Sequence, residues 1–317
     1  MKGIAVAGSI LIDRINEIAR YPEAGELTKI ISVGAATGGC VPNVAIDLKR
    51  LDPALEVRAL GKVGRDPNGD LAKNTLSVEE IDVSGIVEGE ELTSFTEVMS
   101  EVGGQRTFFT YPGASDGFGY SDIDFDALDV KMLHLGYYLL LKKVDEGDGE
   151  LILKEAKARG ITTSIDLVSE NSDRYSLILP SLKYTDNLII NELEAGKLTG
   201  MDPEADGLEA IAKKLLELGV GERVIIHERD SAILASKRGV ERIGSYKLPS
   251  GFIKGTTGAG DAFCAGALLA IYRDKSDKEI LEYATVSALG ALRAPDAVSG
   301  MTDLDSLISL ADGLERL

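Results

Sequence analysis

The residues most suited to chemistry form a glycine-rich loop that leads into a helix of small residues. The loop reads Gly255-Thr256-Thr257-Gly258-Ala259-Gly260-Asp261-Ala262-Phe263 and continues into 264–270. Glycines at 258 and 260 allow backbone N–H groups to turn toward one point. The helix that follows presents its free N–H groups and its positive dipole end to the same point. The loop therefore predicts an anion site, and phosphate is the expected anion.

Asp261 is the unexpected member of this loop, because an anion repels a carboxylate beside it. The position suits a general base that removes a proton from a hydroxyl group attacking the phosphate. The alternative is that Asp261 only caps the helix N-terminus. The spacing alone does not decide between these interpretations. A Walker-type GxxxxGK[ST] motif and a GxGxxG fingerprint after the first strand are absent, which disfavours P-loop nucleotidases and classical dinucleotide enzymes.

Five short motifs, in order along nearly the whole chain, resemble the ribokinase-like (PfkB) carbohydrate kinase family. They are Gly8-Ser9 with Asp13, Gly38-Gly39 with Asn43, the stretch 61–69, Asn191 with Glu194, and Thr256–Phe263, which is similar to the family's second signature. The resemblance implies transfer of the ATP γ-phosphate to a hydroxyl of a sugar or sugar-like molecule. It also implies that Asp261 acts as the base, and that the backbone of Gly258, Ala259 and Gly260 stabilises charge on the transferring phosphoryl group.

The resemblance further implies how the nucleotide and its metal are bound. Asn191 and Glu194, at i and i+3 near a strand end, would help hold hydrated Mg²⁺ and the phosphates, with Glu194 reaching the ion through water. Without the resemblance, this pair indicates an ordinary solvated helix start. The nucleotide-contacting positions implied by the resemblance are these two and four loop residues, Thr256, Thr257, Gly258 and Gly260.

On the substrate side, the resemblance implies a hydroxyl-binding carboxylate at Asp13, with Gly38, Gly39 and Asn43 beside it. A carboxylate, an amide and close backbone approach at glycine are suitable groups for a polyol. Without the resemblance, Asp13 indicates a turn at a strand end. Arg106 is a further candidate for an anionic or hydroxyl-rich substrate, and an exposed arginine without that role fits the sequence equally well.

Three positions depart from the family pattern. Gly255 stands where many members carry an Asp in a loop associated with monovalent-cation activation, so potassium dependence is not implied for this chain. The segment 227–232, His-Glu-Arg-Asp-Ser-Ala, replaces a glycine-containing nucleotide loop. His227 there fits a structural histidine better than a nucleotide contact. Asp166 lacks the partners of an Asp-x-Asn-x-Arg pattern, which leaves its role open.

The elements that position these residues alternate between apolar runs and helical patterns, which predicts an α/β fold with a mainly parallel central sheet flanked by helices. The predicted strands are 4–7, 57–61, 132–135, 162–166, 187–191 and 223–227. The predicted helices are 40–51, 147–159, 191–198, 207–218, 261–273 and 278–292. One domain over 1–317 is expected, and the charged stretch 142–150 is expected to be a solvated loop.

Two segments break the alternation, at about 26–36 and 92–111. Gly103-Gly104 supplies the positive φ angles of a tight hairpin turn within the second segment. A small β-sheet protruding as a lid over the ends of the parallel strands is therefore predicted. The alternative is an ordinary edge of the main sheet. By resemblance, the lid is also where a homodimer would form.

Composition limits the other functions. The balance of 34 Lys and Arg against 52 Asp and Glu gives a net charge of −18, which disfavours nucleic-acid binding. No stretch of about 18 apolar residues indicates a membrane span. Two widely separated cysteines suggest neither a disulfide scaffold nor a structural zinc site, and a cytoplasmic protein is expected. Two other functions remain open: a nucleoside kinase, and a sugar-sensing or partner-binding protein without turnover.

Overall fold

The structure is a computed structural model that describes residues 2–317, and its strands form two sheets. The strands are β1 Ile4–Ala7, β2 Leu11–Ile18, β3 Ile30–Gly38, β4 Val57–Gly64, β5 Asp82–Gly89, β6 Ser94–Glu101, β7 Arg106–Tyr111, β8 Met132–Tyr138, β9 Thr162–Leu167, β10 Asn187–Asn191, β11 Arg223–His227, β12 Ser231–Ser236 and β13 Gly239–Gly244. Nine of them form the central sheet, in the order β13-β12-β11-β10-β9-β8-β1-β4-β5. All neighbours from β11 to β5 are parallel, and β12 and β13 are antiparallel additions.

Helices cover both faces of the central sheet. They are α1 Cys40–Leu51, α2 Pro67–Val78, α3 Gly113–Asp116, α4 Gly149–Ala158, α5 Leu179–Leu182, α6 Glu192–Thr199, α7 Pro203–Asp206, α8 Leu208–Glu217, α9 Ala259–Tyr272, α10 Asp277–Ala291 and α11 Leu304–Ala311. In β1, Ile4 and Val6 pack into one apolar cluster with α1, α9 and α10, while Ala5 and Ala7 pack into a second with α4, α6 and α8. This alternation explains why β1 is apolar at every position, since both of its faces are buried.

The remaining four strands form a separate sheet in the order β3-β2-β6-β7, which we call the lid sheet. The β6–β7 hairpin and β3 correspond to the two predicted lid segments, although β3 begins at Ile30 and residues 26–29 lie before it. The fourth strand, β2, was not predicted as part of the lid. The prediction that Asp13 occupies a strand-end turn was wrong, because Asp13 lies inside β2, paired with Ala36 and Thr96. The interpretation of the lid as an edge of the main sheet was also wrong.

The six predicted central strands and six predicted helices are present, with ends that differ by a few residues at most. The expectation of a solvated loop over 142–150 was wrong. A short helical turn, Val144–Asp148, leads into α4 there, and Val144 and Asp145 are buried. Asp145 accepts a hydrogen bond from the backbone N–H of Leu139 and pairs with Arg174. Within residues 2–317, no helix combines the length and the apolar character needed to cross a membrane.

Candidate active site

Asp261 lies in the first turn of α9, and its carboxylate is buried and held by two side chains. The Asn43 Nδ2 donates a hydrogen bond to Asp261 Oδ2 at 2.9 Å. The Tyr137 hydroxyl donates to the same oxygen at 3.0 Å. The N-cap of α9 is Gly258, without a side-chain cap, so the interpretation of Asp261 as a helix cap was wrong. Because both bonds end on Oδ2, they fix the direction of the carboxylate and leave Oδ1 available.

Burial also determines the acidity of this carboxylate. It raises the pKa of Asp261 to about 7, and the negative charge of Asp166 acts in the same direction. The hydrogen bonds from Asn43 and Tyr137 favour the ionised form and oppose this rise. The result is a carboxylate that exchanges its proton near neutral pH, which is the range in which a general base is most effective.

The glycine-rich loop is fixed by the segment opposite to it. Gly258 has a φ of 78°, which strongly favours glycine, and a Cβ at this position would lie 2.6 Å from the Cα of Ala297. A Cβ at Gly255 would lie 2.8 Å from the carbonyl oxygen of Ala294. Ala259 donates its backbone N–H to the carbonyl oxygen of Thr256 at 3.3 Å, while the N–H groups of Gly260 and Asp261 have no carbonyl partner within the helix and point out of its N-terminus. The join of loop and helix is therefore where the anion site is predicted.

Asn191 and Glu194 each accept a hydrogen bond from the other's backbone N–H at the start of α6. The Asn191 Oδ1 accepts from the backbone N–H of Glu194 at 2.9 Å, and Glu194 Oε2 accepts from the backbone N–H of Asn191 at 3.1 Å. Ser169 donates its hydroxyl to Glu194 Oε1 at 2.8 Å. Glu194 is buried, not solvated as in an ordinary helix start, and this burial raises its pKa to about 7.

A small cleft of about 220 Å³ collects these acidic groups. Asp166, Glu194 and Asp261 all line it, and none of the described residues in its lining is a Lys or Arg. Three carboxylates without a protein cation are a donor set that suits a hard divalent cation such as Mg²⁺. The residues present therefore fit the metal that the family resemblance implies.

A larger cleft of about 760 Å³ adjoins the small one and shares Asn191, His227 and Gly260 with it. Apolar side chains contribute much of its lining, among them Tyr246, Leu248, Ile253, Phe263, Leu289 and Leu292. Thr256 and Ala259 of the loop also lie along it. The N-terminus of α9 thus stands between a large, mainly apolar cleft and a small acidic one, which matches the two ends of a nucleoside triphosphate.

The altered segment 227–232 forms a tight turn beside the larger cleft. The backbone N–H of Glu228 donates to the carbonyl oxygen of Ser231 at 2.9 Å, and the Glu228 carboxylate accepts from Arg242. The half-buried imidazole of His227 packs on Phe263, with ring centroids 4.8 Å apart. Burial lowers the pKa of His227 to about 4, so that the ring is neutral at physiological pH.

The predicted substrate residues lie at the junction between lid and main sheet. Gly38 is close to the Asp13 carboxylate, because a Cβ on Gly38 would meet Asp13 Oδ2 at 2.5 Å. Gly39 is the N-cap of α1, has a φ of 91° and lies against the carbonyl oxygen of Ser9. One turn of α1 then places Asn43 against Asp261. The glycine pair thus connects Asp13 to the Asn43–Asp261 contact.

Arg106 is not brought to this cluster. It begins β7 and pairs with Ser100 of β6, whereas Asp13 pairs with Thr96 of β6, which in turn pairs with Thr110. Ser100 and Thr96 are four residues apart, or roughly 13 Å along the strand. Arg106 is exposed near the tip of the lid hairpin. Its assignment as a substrate residue stays a prediction.

Sequence reasoning missed Tyr137, which contacts Asp261 directly. Tyr137 lies near the end of β8 and has a φ of 55°, which is unusual for a residue other than glycine. Its backbone N–H donates to Asp166 Oδ1 at 2.5 Å. Its position at the carboxyl end of a parallel strand was the available signal, because ligand sites gather at that edge of the sheet.

Comparisons with known proteins identify the family of this chain. A model of the pfkB family of carbohydrate kinases matches residues 1–303. The ribokinase of Arabidopsis thaliana is 26% identical over 314 residues, covering 97% of this chain and 80% of the relative. The probable fructokinase-7 of the same plant is 26% identical over 321 residues, covering 96% and 90%.

A solved structure of Arabidopsis thaliana ribokinase complexed with ribose and ATP has the same fold. Its TM-score is 0.85 at 24% sequence identity, with 98% of both chains covered. The ribokinase fold, with its separate small sheet, is therefore confirmed. On the family match over nearly its whole length, this chain belongs to the PfkB family of carbohydrate kinases.

Proposed function

We propose that this kinase transfers the γ-phosphoryl group of ATP to a hydroxyl of a sugar or sugar-like molecule, with Asp261 as the general base. The observation that carries the proposal is the geometry of the Asp261 carboxylate. Asn43 and Tyr137 both donate to Oδ2, and Oδ1 has no hydrogen bond to residues 2–317. A carboxylate oxygen left unpaired beside an anion site is the acceptor that an attacking hydroxyl requires.

The reaction is an in-line displacement. The acceptor hydroxyl gives its proton to Asp261 Oδ1 while its oxygen forms a bond to the γ-phosphorus. The bond from that phosphorus to the β–γ bridging oxygen breaks, and ADP leaves. In this proposal the N–H groups of Gly258 and Gly260 face the phosphoryl oxygens as negative charge develops on them, and the N–H of Ala259 joins them by leaving the carbonyl oxygen of Thr256.

The two clefts indicate how ATP lies in the site. The mainly apolar cleft beside Phe263 and Leu289 suits the adenine and ribose. The triphosphate then runs past Thr256 and Thr257 to the N-terminus of α9. Glu194, with Asn191 and the nearby Asp166, would hold Mg²⁺, largely through water, and the bound ion would neutralise phosphate charge.

The sugar lies between Asp13 and Asp261 in this proposal. The Asp13 carboxylate, half-buried and without a hydrogen bond to residues 2–317, accepts from sugar hydroxyls. Asn43 has a double role, because its Nδ2 orients Asp261 while its Oδ1 remains free to accept from the substrate. The lid sheet, which carries Asp13, closes over the acceptor and excludes water that would otherwise hydrolyse ATP.

The test is an ADP-release assay with Mg-ATP over pentoses, hexoses, ketohexose phosphates, sugar acids and nucleosides. We expect ADP release to depend on a sugar or sugar-like acceptor, with one phosphorylated product per ADP. Turnover confined to nucleosides would replace the proposal by a nucleoside kinase. Sugar binding by folded protein, without ADP release for any acceptor, would replace it by a binding protein.

A further inference from the structure

A second cluster of reactive side chains adjoins Asp261, and the proposed mechanism uses only Asp166 of it. It consists of Cys40, His134, Asp166 and Cys264, contributed by α1, β8, β9 and α9. All four residues are buried. One ligand atom from each of Cys40, His134 and Asp166 lies within 4.8 Å of the other two. The cluster contains both cysteines and one of the two histidines of the chain.

Two distances within the cluster match those between ligands of a tetrahedral metal. The His134 Nε2 lies 3.6 Å from Cys264 Sγ and 3.5 Å from Asp166 Oδ2. For zinc bonds of about 2.05 Å to nitrogen and about 2.3 Å to sulfur, a tetrahedral angle places those ligands about 3.6 Å apart, and a nitrogen–oxygen pair about 3.4 Å apart. These two distances therefore have the lengths of two edges of a metal tetrahedron, and Cys40 lies within 4.8 Å of His134 and Asp166.

Surrounding contacts orient two of the four ligands. The Nδ1 of His134 is hydrogen-bonded to Ser164 Oγ at 3.0 Å, which leaves Nε2 directed into the cluster. Asp166 Oδ1 accepts from the backbone N–H of Tyr137, which leaves Oδ2 on the side of His134. In known metal sites, hydrogen bonds of this kind fix the tautomer and the orientation of the ligand side chains.

We propose that Cys40, His134, Asp166 and Cys264 form a binding site for one thiophilic divalent metal ion of the Zn²⁺ class. Thiolate and imidazole ligands favour such ions over Mg²⁺, so this site differs in ligand chemistry from the carboxylate cleft at Glu194, with which it shares Asp166. Asp166 and Cys264 both line the small cleft, which gives an ion a route from solvent.

Charge balance permits this binding in a buried place. Burial and the nearby carboxylates raise the pKa of both thiols, so the cysteines are protonated without metal. Binding one Zn²⁺ forms two sulfur–metal bonds and releases the two thiol protons to solvent. The two protons that leave carry the same charge as the one divalent ion that binds, so the net charge of the cluster is unchanged.

The test uses Co²⁺ as a spectroscopic probe on the full chain, reduced and freed of metal with a chelator. We expect a sulfur-to-cobalt charge-transfer absorption that saturates at one Co²⁺ per chain. Because Cys40 and Cys264 are the only cysteines, such a band must come from this cluster. We further expect equimolar Zn²⁺ to abolish the band, and excess Mg²⁺ to leave it in place.

Matched variants test the ligand set. Cys264→Ser and His134→Gln should each weaken Co²⁺ binding at least tenfold. His227→Gln, which changes the only other histidine, should leave it unchanged. Cys40→Ala and Cys264→Ala replace any of these variants that fails to fold. Absence of the band in folded, reduced protein would overturn the proposal, as would a band of equal affinity in the ligand variants.

Discussion

Asp261 combines a raised pKa with a fixed orientation of its carboxylate. Its burial raises the pKa to about 7, and its two hydrogen bonds both end on Oδ2. A base of this kind is half ionised near neutral pH and presents a single oxygen to the substrate. The rate should therefore rise with pH as the carboxyl group loses its proton, with a midpoint near the pKa of the free enzyme.

Tyr137→Phe tests the contact that sequence reasoning missed. The Tyr137 hydroxyl lowers the pKa of Asp261 by stabilising the ionised carboxylate, so its removal should raise that pKa. We expect the acidic limb of the kcat/KM profile to move to higher pH, and the rate below pH 7 to fall most. The measurement is kcat/KM between pH 5.5 and 9.

Tyr138→Phe is the matched control for that profile. The hydroxyl of Tyr138 contacts Ser181 on the other side of β8, so its loss should leave the acidic limb where it is in the wild type. An unmoved limb in Tyr137→Phe, or an equal shift in both variants, would contradict the assignment of Tyr137 as a positioning residue for the base.

Asp47 is a buried carboxylate on α1 for which neither oxygen has a hydrogen-bond partner in the described chain. Burial, reinforced by the charge of Asp261, raises its pKa well above the ordinary value. The folded state therefore binds this proton more tightly than the unfolded state. By linkage, this group lowers stability progressively as pH rises above its unfolded pKa, until the folded pKa is passed.

Asp47→Asn keeps the shape of the side chain and removes the titration. We expect the wild type to lose stability relative to the variant between pH 5 and pH 8, by at most about 1.4 kcal/mol per pH unit, because only the wild type carries this titrating group. The measurement is the free energy of unfolding in urea at both pH values. Parallel changes in the two proteins would show that the fold does not raise the pKa of Asp47.

At the scale of elements, the join between the glycine loop and α9 determines where the anion site lies. Gly258 combines a φ of 78° with a Cβ position that the backbone of Ala297 already occupies. Gly200 is a matched position, since its φ is 71° and nothing lies within 4 Å of its Cβ position. Substitutions at these two glycines therefore distinguish the cost of a positive φ from the cost of a steric clash.

Gly200→Ala should cost only the strain of a left-handed residue, on the order of 1 kcal/mol, and leave activity intact. Gly258→Ala should cost more, on the order of 2–4 kcal/mol, because overpacking adds to the same strain. It should also lower kcat at least tenfold, since the loop must shift from the phosphates. Thermal unfolding and ADP release measure both. Equal effects of the two substitutions would contradict the packing of the loop on Ala297.

The elements that could be predicted from the sequence are those whose pattern is local. The residues 4–7 and 188–190 are apolar because both faces of those strands are buried, and the observed β1 and β10 have the predicted bounds. The strand β2 was missed because Asp13, Arg14 and Glu17 interrupt its apolar alternation. It forms a sheet through pairing with β3 and β6, which are distant in sequence.

In the candidate site, too, the residues of local motifs could be predicted, and a contact between residues distant in sequence could not. Asp261, Asn43 and Glu194 could be predicted because each lies in a short motif. The contact of Tyr137 with Asp261 could not, because it depends on a positive φ at the end of β8 and joins residues 124 positions apart. The turn at 144–148 is likewise held in part by a partner distant in sequence, since Arg174, 29 positions away, donates to Asp145.

At the scale of the molecule, the lid sheet leaves large apolar side chains in solvent. Val33, Phe108 and Phe109 are 77%, 62% and 59% exposed. Exposed apolar patches of this kind are typical of protein–protein contacts. We expect a homodimer that covers this surface, as the family resemblance implies.

Phe108→Asp tests the dimer by placing a charge in the patch. In sedimentation equilibrium, the wild type should have twice the mass of one chain, and the variant should have the mass of one. Val78→Asp, at a position that is 74% exposed on α2, is the control and should remain a dimer. A monomeric wild type at micromolar concentration would contradict the expectation.

The central claim is that Asp261 removes the proton from the acceptor hydroxyl, and the most direct measurement is kcat for Asp261→Asn with the best acceptor at pH 8. Asp47→Asn, the same substitution at another buried carboxylate, is measured beside it. We predict a fall of about 10²- to 10⁴-fold for Asp261→Asn and a rate near wild type for Asp47→Asn. Turnover by folded Asp261→Asn within a few-fold of wild type would contradict the account.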